Sequence, residues 1–286
     1  MNRLVNIKSA FQEARLRYTA IVLCIVTMMV FSCDHEKIDD QGELGEVGEA
    51  TKSQAFTECE CTELPTGKLV WDYPVKPGSE EWKKFKTYDE MLEATLIPEE
   101  FLFSLSTEDL TVICLEYPGL YNIYAFNSLD MGLDRLFNQF NGISELFKRE
   151  NTSKELLKHY RAKFEDISIL DGEEHSAEKG FYIVAVSALE ALLSRYVSQN
   201  GEIESYREIL QCLVAGYEKK LMYPDYSPGL WDRINFYARI HMILKISPQS
   251  IEKIPNGINN PIFSPHLNDK NTMDIINELS YQLIKR

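Results

Sequence analysis

The amino-acid sequence predicts an all-α protein, a single irregular multi-helical domain of roughly ten helices preceded by a disordered acidic tether. Three observations lead there. Apolar residues recur at intervals of three and four through most of the chain after residue 79, the spacing that gathers them on one helix face. No run alternates apolar and polar residues for long enough to read as a strand. Pro, Gly and Asn-Gly positions cut the pattern into pieces of helical length.

Composition bounds the function. The 286 residues carry a net charge of −14, which disfavours a basic nucleic-acid-binding surface, so no nucleic-acid partner is expected. With 14 Phe, 15 Tyr and 3 Trp the chain has ample material for a core, which excludes global disorder. Six cysteines in this length do not make a disulfide-stapled miniprotein.

Residues 1–32 read as a signal peptide. Arg3, Lys8, Arg15 and Arg17 against Glu13 give the leading region a charge of +3, and Tyr18 to Ser32 is an uncharged stretch of fifteen residues. A helix crossing a bilayer needs about 20 apolar residues, so this length suits a secretory segment. The stretch ends Val30-Phe31-Ser32-Cys33, with Asp34 immediately after. This ending resembles the lipobox of bacterial lipoproteins, although Phe31 is bulkier than the usual residue there. The resemblance implies cleavage before Cys33 and lipidation of its sulfur. Two or three acyl chains then anchor the protein, because each buried methylene contributes roughly 0.8 kcal/mol.

Residues 33–63 read as the lipidated cysteine and a solvated linker. From Asp34 to Glu63 ten acids face only Lys37 and Lys52, and Gly42 to Glu49 repeats a Gly-Glu-x unit with no apolar face. Such a segment cannot offset its ordering entropy and extends by self-repulsion. Acids soon after the cysteine resemble a surface-export signal of some Gram-negative lineages, and Asp directly after it resembles an inner-membrane retention signal of others. The favoured reading is a cell-envelope, outer-membrane protein facing outward. Cys59 and Cys61 form a Cys-x-Cys pair without the second half a zinc site needs, so no metal and no cofactor are expected. Together with Cys114 and Cys212 they leave three possible pairings open.

The folded part spans residues 64–286. Leu69 to Gly78 is an extended arm in which Pro74 and Pro77 forbid helix, with Trp71 and Tyr73 expected to dock on the helical domain after it. Ser79 with Glu80 and Glu81 reads as the start of a first helix, and Tyr88 to Thr95 as a second. Pro98-Glu99-Glu100 starts a short one. Ser106 caps a helix bearing Leu110, Ile113, Cys114 and Tyr117, ended by Pro118. Leu133, Leu136, Phe137 and Phe140 repeat that spacing, and Asn141-Gly142 reads as its stop. Ile143 to Arg149 and Ser153 to Phe164 come next.

Phe181 to Tyr196 is apolar around most of its circumference, which argues for a central helix. Ile203, Tyr206, Leu210, Leu213, Val214, Tyr217 and Leu221 form a stripe on the next. Leu230 to Ile246 and Thr272 to Lys285 complete the set, separated by a polar stretch from Pro255 to Asn271. The acidic stretch from Asp171 to Lys179 is a candidate sub-boundary. Trp71 to Gly78 together with Leu105 to Leu110, within a segment reaching to about Lys158, resembles uncharacterised Gram-negative surface lipoproteins. That likeness implies an address and no activity.

Short catalytic signatures such as His-Glu-x-x-His, Gly-x-Ser-x-Gly and phosphate-binding glycine loops do not occur. Three constellations remain. Asp171, Glu173, Glu174, His175 and Glu178 could offer oxygen ligands to a divalent cation, but their spacing fits no known loop, and a solvated connection capped at Ser176 explains them. His241, near Tyr237 and Arg239, could be a buried base or a core histidine satisfied locally. Tyr223, Tyr226 and Trp231 with Asp225 and Asp232 combine aromatic faces and carboxylates suited to a sugar or peptide, or to plugging an inter-helical gap. Of these, Tyr223, Tyr226, Trp231 and Asp232 are the candidate ligand-binding residues; catalytic residues are unknown. The expected function is a lipid-anchored, non-enzymatic binding or structural module that meets the membrane through its anchor and an unknown protein or glycan through its helices. A cell-surface hydrolase acting on glycan or peptide is the alternative.

Overall fold

The computed structural model describes residues 64–172, 176–199, 203–226, 229–254 and 269–285. Among these there are ten α-helices and no strand. The signal peptide, Cys33, the tether and the Cys59–Cys61 pair lie outside the described residues, as does most of the stretch from Pro255 to Asn271. Every described residue belongs to one compact unit, and no described helix is long and apolar enough to cross a membrane.

The arm is extended, as its prolines require, and lies along helix α3 (Thr107–Leu115). The Lys68 N–H donates to Asp109 Oδ1 at 2.8 Å, Thr66 Oγ1 to Glu108 Oε2 at 2.5 Å, and Tyr73 Oη to the Ile113 carbonyl at 2.9 Å. Gly67 makes the approach possible, since a Cβ there would stand 2.3 Å from the Glu108 carbonyl oxygen. Trp71 packs on Phe101 with ring centroids 5.4 Å apart, and Tyr73 is buried against Tyr117 and Phe140. Both aromatics dock as their position beside an apolar run implied.

The helix expected at Ser79 is only a 3₁₀ turn, Trp82–Lys84. No residue of that turn is buried, and a segment this short is marginal without a packed face. Helix α1 (Tyr88–Glu93) is set by a reciprocal capping box between Thr87 and Glu90. Helix α2 (Glu99–Ser104) follows Pro98, and α3 starts at Ser106, whose Oγ accepts from the Asp109 N–H. Helix α4 (Leu129–Gln139) is capped in the same way by Ser128.

Helix α4 does end just before Asn141-Gly142, but through an extended Phe140 (φ −114°, ψ 111°) and not through a left-handed Asn or Gly. Helix α5 (Asn141–Leu146) begins at that point, and the Asn141 amide clamps both backbone groups of Ile97 (3.1 and 2.6 Å). Here a tertiary bond outcompetes the local turn preference of Asn. Helix α6 runs Thr152–Glu165.

Helix α7 (Ala177–Gln199) is the central element that its apolar circumference predicted. Val186, Ala188, Leu189, Ala191, Leu192 and Leu193 are all buried, and α7 packs against α4, α6 and α9. Phe181 departs from that pattern: it is 61% exposed and meets Tyr121 edge-on at 5.1 Å. Helices α8 (Ile203–Lys220), α9 (Leu230–Ile246) and α10 (Lys270–Ile284) complete the C-terminal layer. Helix α9 lies between α7, α8 and α10, and α8 also contacts α6. The α8 stripe is buried from Tyr206 to Tyr217, whereas its ends, Ile203 and Leu221, are exposed. The N-terminal helices join this layer through α3 on α6 and α4 on α7.

Cys114 and Cys212 are both buried, and Arg161 donates to the Cys212 sulfur at 3.1 Å. Burial pushes the Cys114 thiol well above its ordinary proton affinity, so it behaves as a small apolar core residue.

Candidate functional site

Two polar assemblies stand out, one inside the bundle and one on its surface. The inner one joins α6, α7, α8 and α9. Glu190 Oε1 accepts from Tyr160 Oη (2.7 Å), Lys220 Nζ (2.6 Å) and Asn235 Nδ2 (2.8 Å). Lys220 also donates to the Trp231 carbonyl at 2.9 Å and sits 4.8 Å from the Trp231 ring centroid. Glu190 and Lys220 are both fully buried. Burial lowers the Lys220 proton affinity, while Glu190 and then Asp232 oppose that shift. Four helices thus share one carboxylate oxygen, which fixes their register but opens no path to solvent.

A buried guanidinium extends the interior. Arg239 donates to Ser280 Oγ (3.1 and 2.8 Å), with its carbon 5.1 Å from the Phe236 ring centroid and 5.6 Å from that of Tyr217. Burial pushes its proton affinity down to about 10. The aromatic faces take the place of a carboxylate partner in holding this charge.

The outer assembly is a shallow notch between α1, α4 and the 3₁₀ segment Leu120–Ala125, with a cavity volume of about 20 Å³ before it opens to solvent. The capping box at Thr87 places Tyr88 at the first position of α1. Its hydroxyl donates to Gln139 Oε1 at 2.8 Å, and the Arg135 guanidinium carbon lies 5.9 Å from its ring centroid. The floor exists because Gly132 lets α4 press on the 3₁₀ segment: a Cβ there would meet the Ile123 carbonyl oxygen at 2.1 Å. Tyr117, stacked on Phe140 at 3.9 Å, closes the inner wall. Asn122 and Phe126 line the remaining side.

Against this geometry, comparison with protein-family models, curated proteins and solved structures returns no match. The reading of the site therefore rests on its chemistry.

The residues singled out from sequence are not brought together as a surface platform. Trp231 and Asp232 are buried (1% exposed each) at the start of α9, where Trp231 packs on Tyr182 with centroids 6.0 Å apart. They cannot face a ligand from outside the bundle, which corrects that expectation. The reason is the apolar face of α9, which pulls its first turn into the core beside Lys220. Tyr223 and Tyr226 stay half-buried at the edge, and Tyr223 donates to Asp171 Oδ1 at 3.0 Å.

In the acidic stretch, residues 173–175 lie outside the described residues. Beside them the Lys179 ammonium caps the carbonyls of Leu170, Asp171 and Gly172, a structural closure of the α7 entry. Among the described residues no group of three or more His, Cys, Asp or Glu could hold a metal ion. The His241 ring lies 4.3 Å from that of Tyr237 at a tilt of 49°, and burial lowers its proton affinity while Asp130 and then a backbone bond at Ser194 oppose that shift. His241 is half-buried and has local partners on α4, α7 and α9.

The notch escaped sequence reasoning because Tyr88 and Arg135 lie on different helices far apart in the chain. Glu190 did leave a signal, as a lone carboxylate inside the apolar run from Ala188 to Leu193. A charge there demands a buried partner.

Proposed function

We propose that the chain is a lipid-anchored lipoprotein of the bacterial cell envelope, its helical domain a non-enzymatic binding module held away from the outer membrane on an acidic leash. The observation that carries the reading is the order of features at the N-terminus: a +3 leader, fifteen uncharged residues, Ser32-Cys33, then a linker with ten acids. Acyl chains on Cys33 supply attachment, and like-charge repulsion along the linker, and from an anionic surface, extends the leash.

Binding rather than turnover is favoured by where the polar groups stand. Lys220 and Arg239, whose proton affinities are displaced by burial, are enclosed by packing. The concave surface instead presents Tyr88, Arg135 and Gln139, which hold a ligand by stacking and hydrogen bonds.

The test of the anchor is metabolic labelling with palmitate of wild-type protein and of Cys33→Ala. Label in the wild type and none in the variant supports the reading; label persisting in Cys33→Ala overturns it. For the module, a glycan array and a pull-down with the full chain are expected to retain a partner without changing it. Catalytic turnover of that partner overturns the non-enzymatic reading.

A further inference from the structure

Arg135 and Gln139 lie four residues apart on α4, so both side chains project from the same face over the notch. What they offer a visitor is mainly N–H groups. Gln139 Oε1 accepts from the Tyr88 hydroxyl, which leaves one lone pair and both amide N–H groups of Gln139 for a ligand. The exposed Arg135 guanidinium has only N–H groups to offer, and it leans on the Tyr88 ring. No ion pair joins Arg135 to a described carboxylate, although acids outnumber bases 44 to 30 along the chain. A guanidinium without an ion-pair partner matches an anionic group, and a planar carboxylate is the group that fits its fork.

The surrounding walls narrow the class. Phe126 and Tyr88 present ring surface, and the exposed Asn122 amide can both donate and accept. A pyranose ring has an apolar face for the aromatics and hydroxyls that both donate to and accept from the Asn122 and Gln139 amides. A peptide captured by its carboxylate also brings a row of backbone N–H groups, and an all-helical rim has no strand edge to receive them. The end of α4 nearby is the negative pole of that helix, and direct pairing with the guanidinium outweighs this weaker field.

We infer that the notch formed by Tyr88, Asn122, Phe126, Arg135 and Gln139 binds a carboxylate-bearing sugar unit of a glycan, with Arg135 pairing to the carboxylate. The inference deepens the binding-module reading and depends on it. It does not depend on the anchor.

Isothermal titration of the detergent-solubilised full chain tests it, with sodium D-glucuronate, D-glucose and trialanine as probes. Wild type is expected to bind glucuronate in about the millimolar range, at least tenfold tighter than glucose or trialanine. Arg135→Gln is expected to reduce glucuronate to the affinity of glucose while leaving the melting temperature unchanged, since the side chain is exposed. Gln139→Glu, which places a carboxylate beside the guanidinium, is expected to do the same. Equal binding of the two sugars, no glucuronate binding, a preference that survives in Arg135→Gln, or tighter binding of trialanine overturns the inference. A glycan retained by the full chain irrespective of Arg135 overturns this site while leaving the binding-module reading standing.

Discussion

Lys220 Nζ lies 2.6 Å from Glu190 Oε1, and no solvent reaches either side chain. A buried pair of this kind is costly to assemble, because both ions lose hydration before they attract each other. Three donors on Glu190 Oε1 offset part of the cost, yet Glu190 Oε2 has no hydrogen-bond partner among the described residues. The pair is therefore a device for register more than a source of stability.

Its removal has a sign that depends on how it is done. Lys220→Met leaves a buried carboxylate uncompensated, and a loss of about 3–5 kcal/mol is expected in urea unfolding. Glu190→Gln keeps an acceptor for Tyr160 and is expected to cost less. The double variant Glu190→Leu with Lys220→Met is expected to lose clearly less than the losses of Glu190→Leu alone and Lys220→Met alone added together. Additive losses would show that the two charges do not depend on each other.

What the sequence made legible was governed by local physics. Helix α9 begins and ends at Leu230 and Ile246, where a Gly-bearing loop and Ser247-Pro248 bound an apolar run. Ser106 and Ser128 cap their helices through the N–H three residues on, a bond that local sequence dictates. The 3₁₀ segment Leu120–Ala125 left no such trace, since six residues cannot establish a period, and its Leu120 and Ile123 are buried by α4 and α7. Trp231 and Asp232 fall in the first turn of a helix that the sequence places from Leu230, and only tertiary packing decides that this turn points inward. Tyr88 and Arg135 meet through the fold alone.

Acid should expose a second buried cost. His159 on α6 is held down to about 4, first by burial and then by Lys163 and Lys158, against an ordinary value of 6.5. The unfolded chain therefore takes up this proton more readily than the folded one. The stability tied to the neutral ring is fully present above about pH 6.5 and is lost as pH falls through about 4. Burial lowers His241 in the same direction. Between pH 7.5 and pH 4.5 the urea midpoint of wild type is expected to fall further than that of His159→Gln. Equal falls would mean that His159 is not held neutral by the fold.

Two glycines separate local propensity from packing. Gly180 lies in the first turn of α7, and a Cβ built there meets nothing within 4 Å. Alanine removes conformational freedom from the unfolded chain and suits a helix better, so Gly180→Ala is expected to stabilise by about 0.5–1 kcal/mol. Gly132 lies in α4, where the same methyl would stand 2.1 Å from the Ile123 carbonyl oxygen. Helix propensity favours alanine here too, but backbone cannot yield as a side-chain tip can. Gly132→Ala must push α4 off the 3₁₀ segment, and overpacking of this kind costs about 1–3 kcal/mol. Because that contact is also the floor of the notch, Gly132→Ala is expected to weaken glucuronate binding, whereas Gly180→Ala leaves it unchanged. Thermal melts of the two variants beside wild type give the signs directly, and a Gly132→Ala protein as stable as wild type would show that the close approach of α4 to Ile123 is not required.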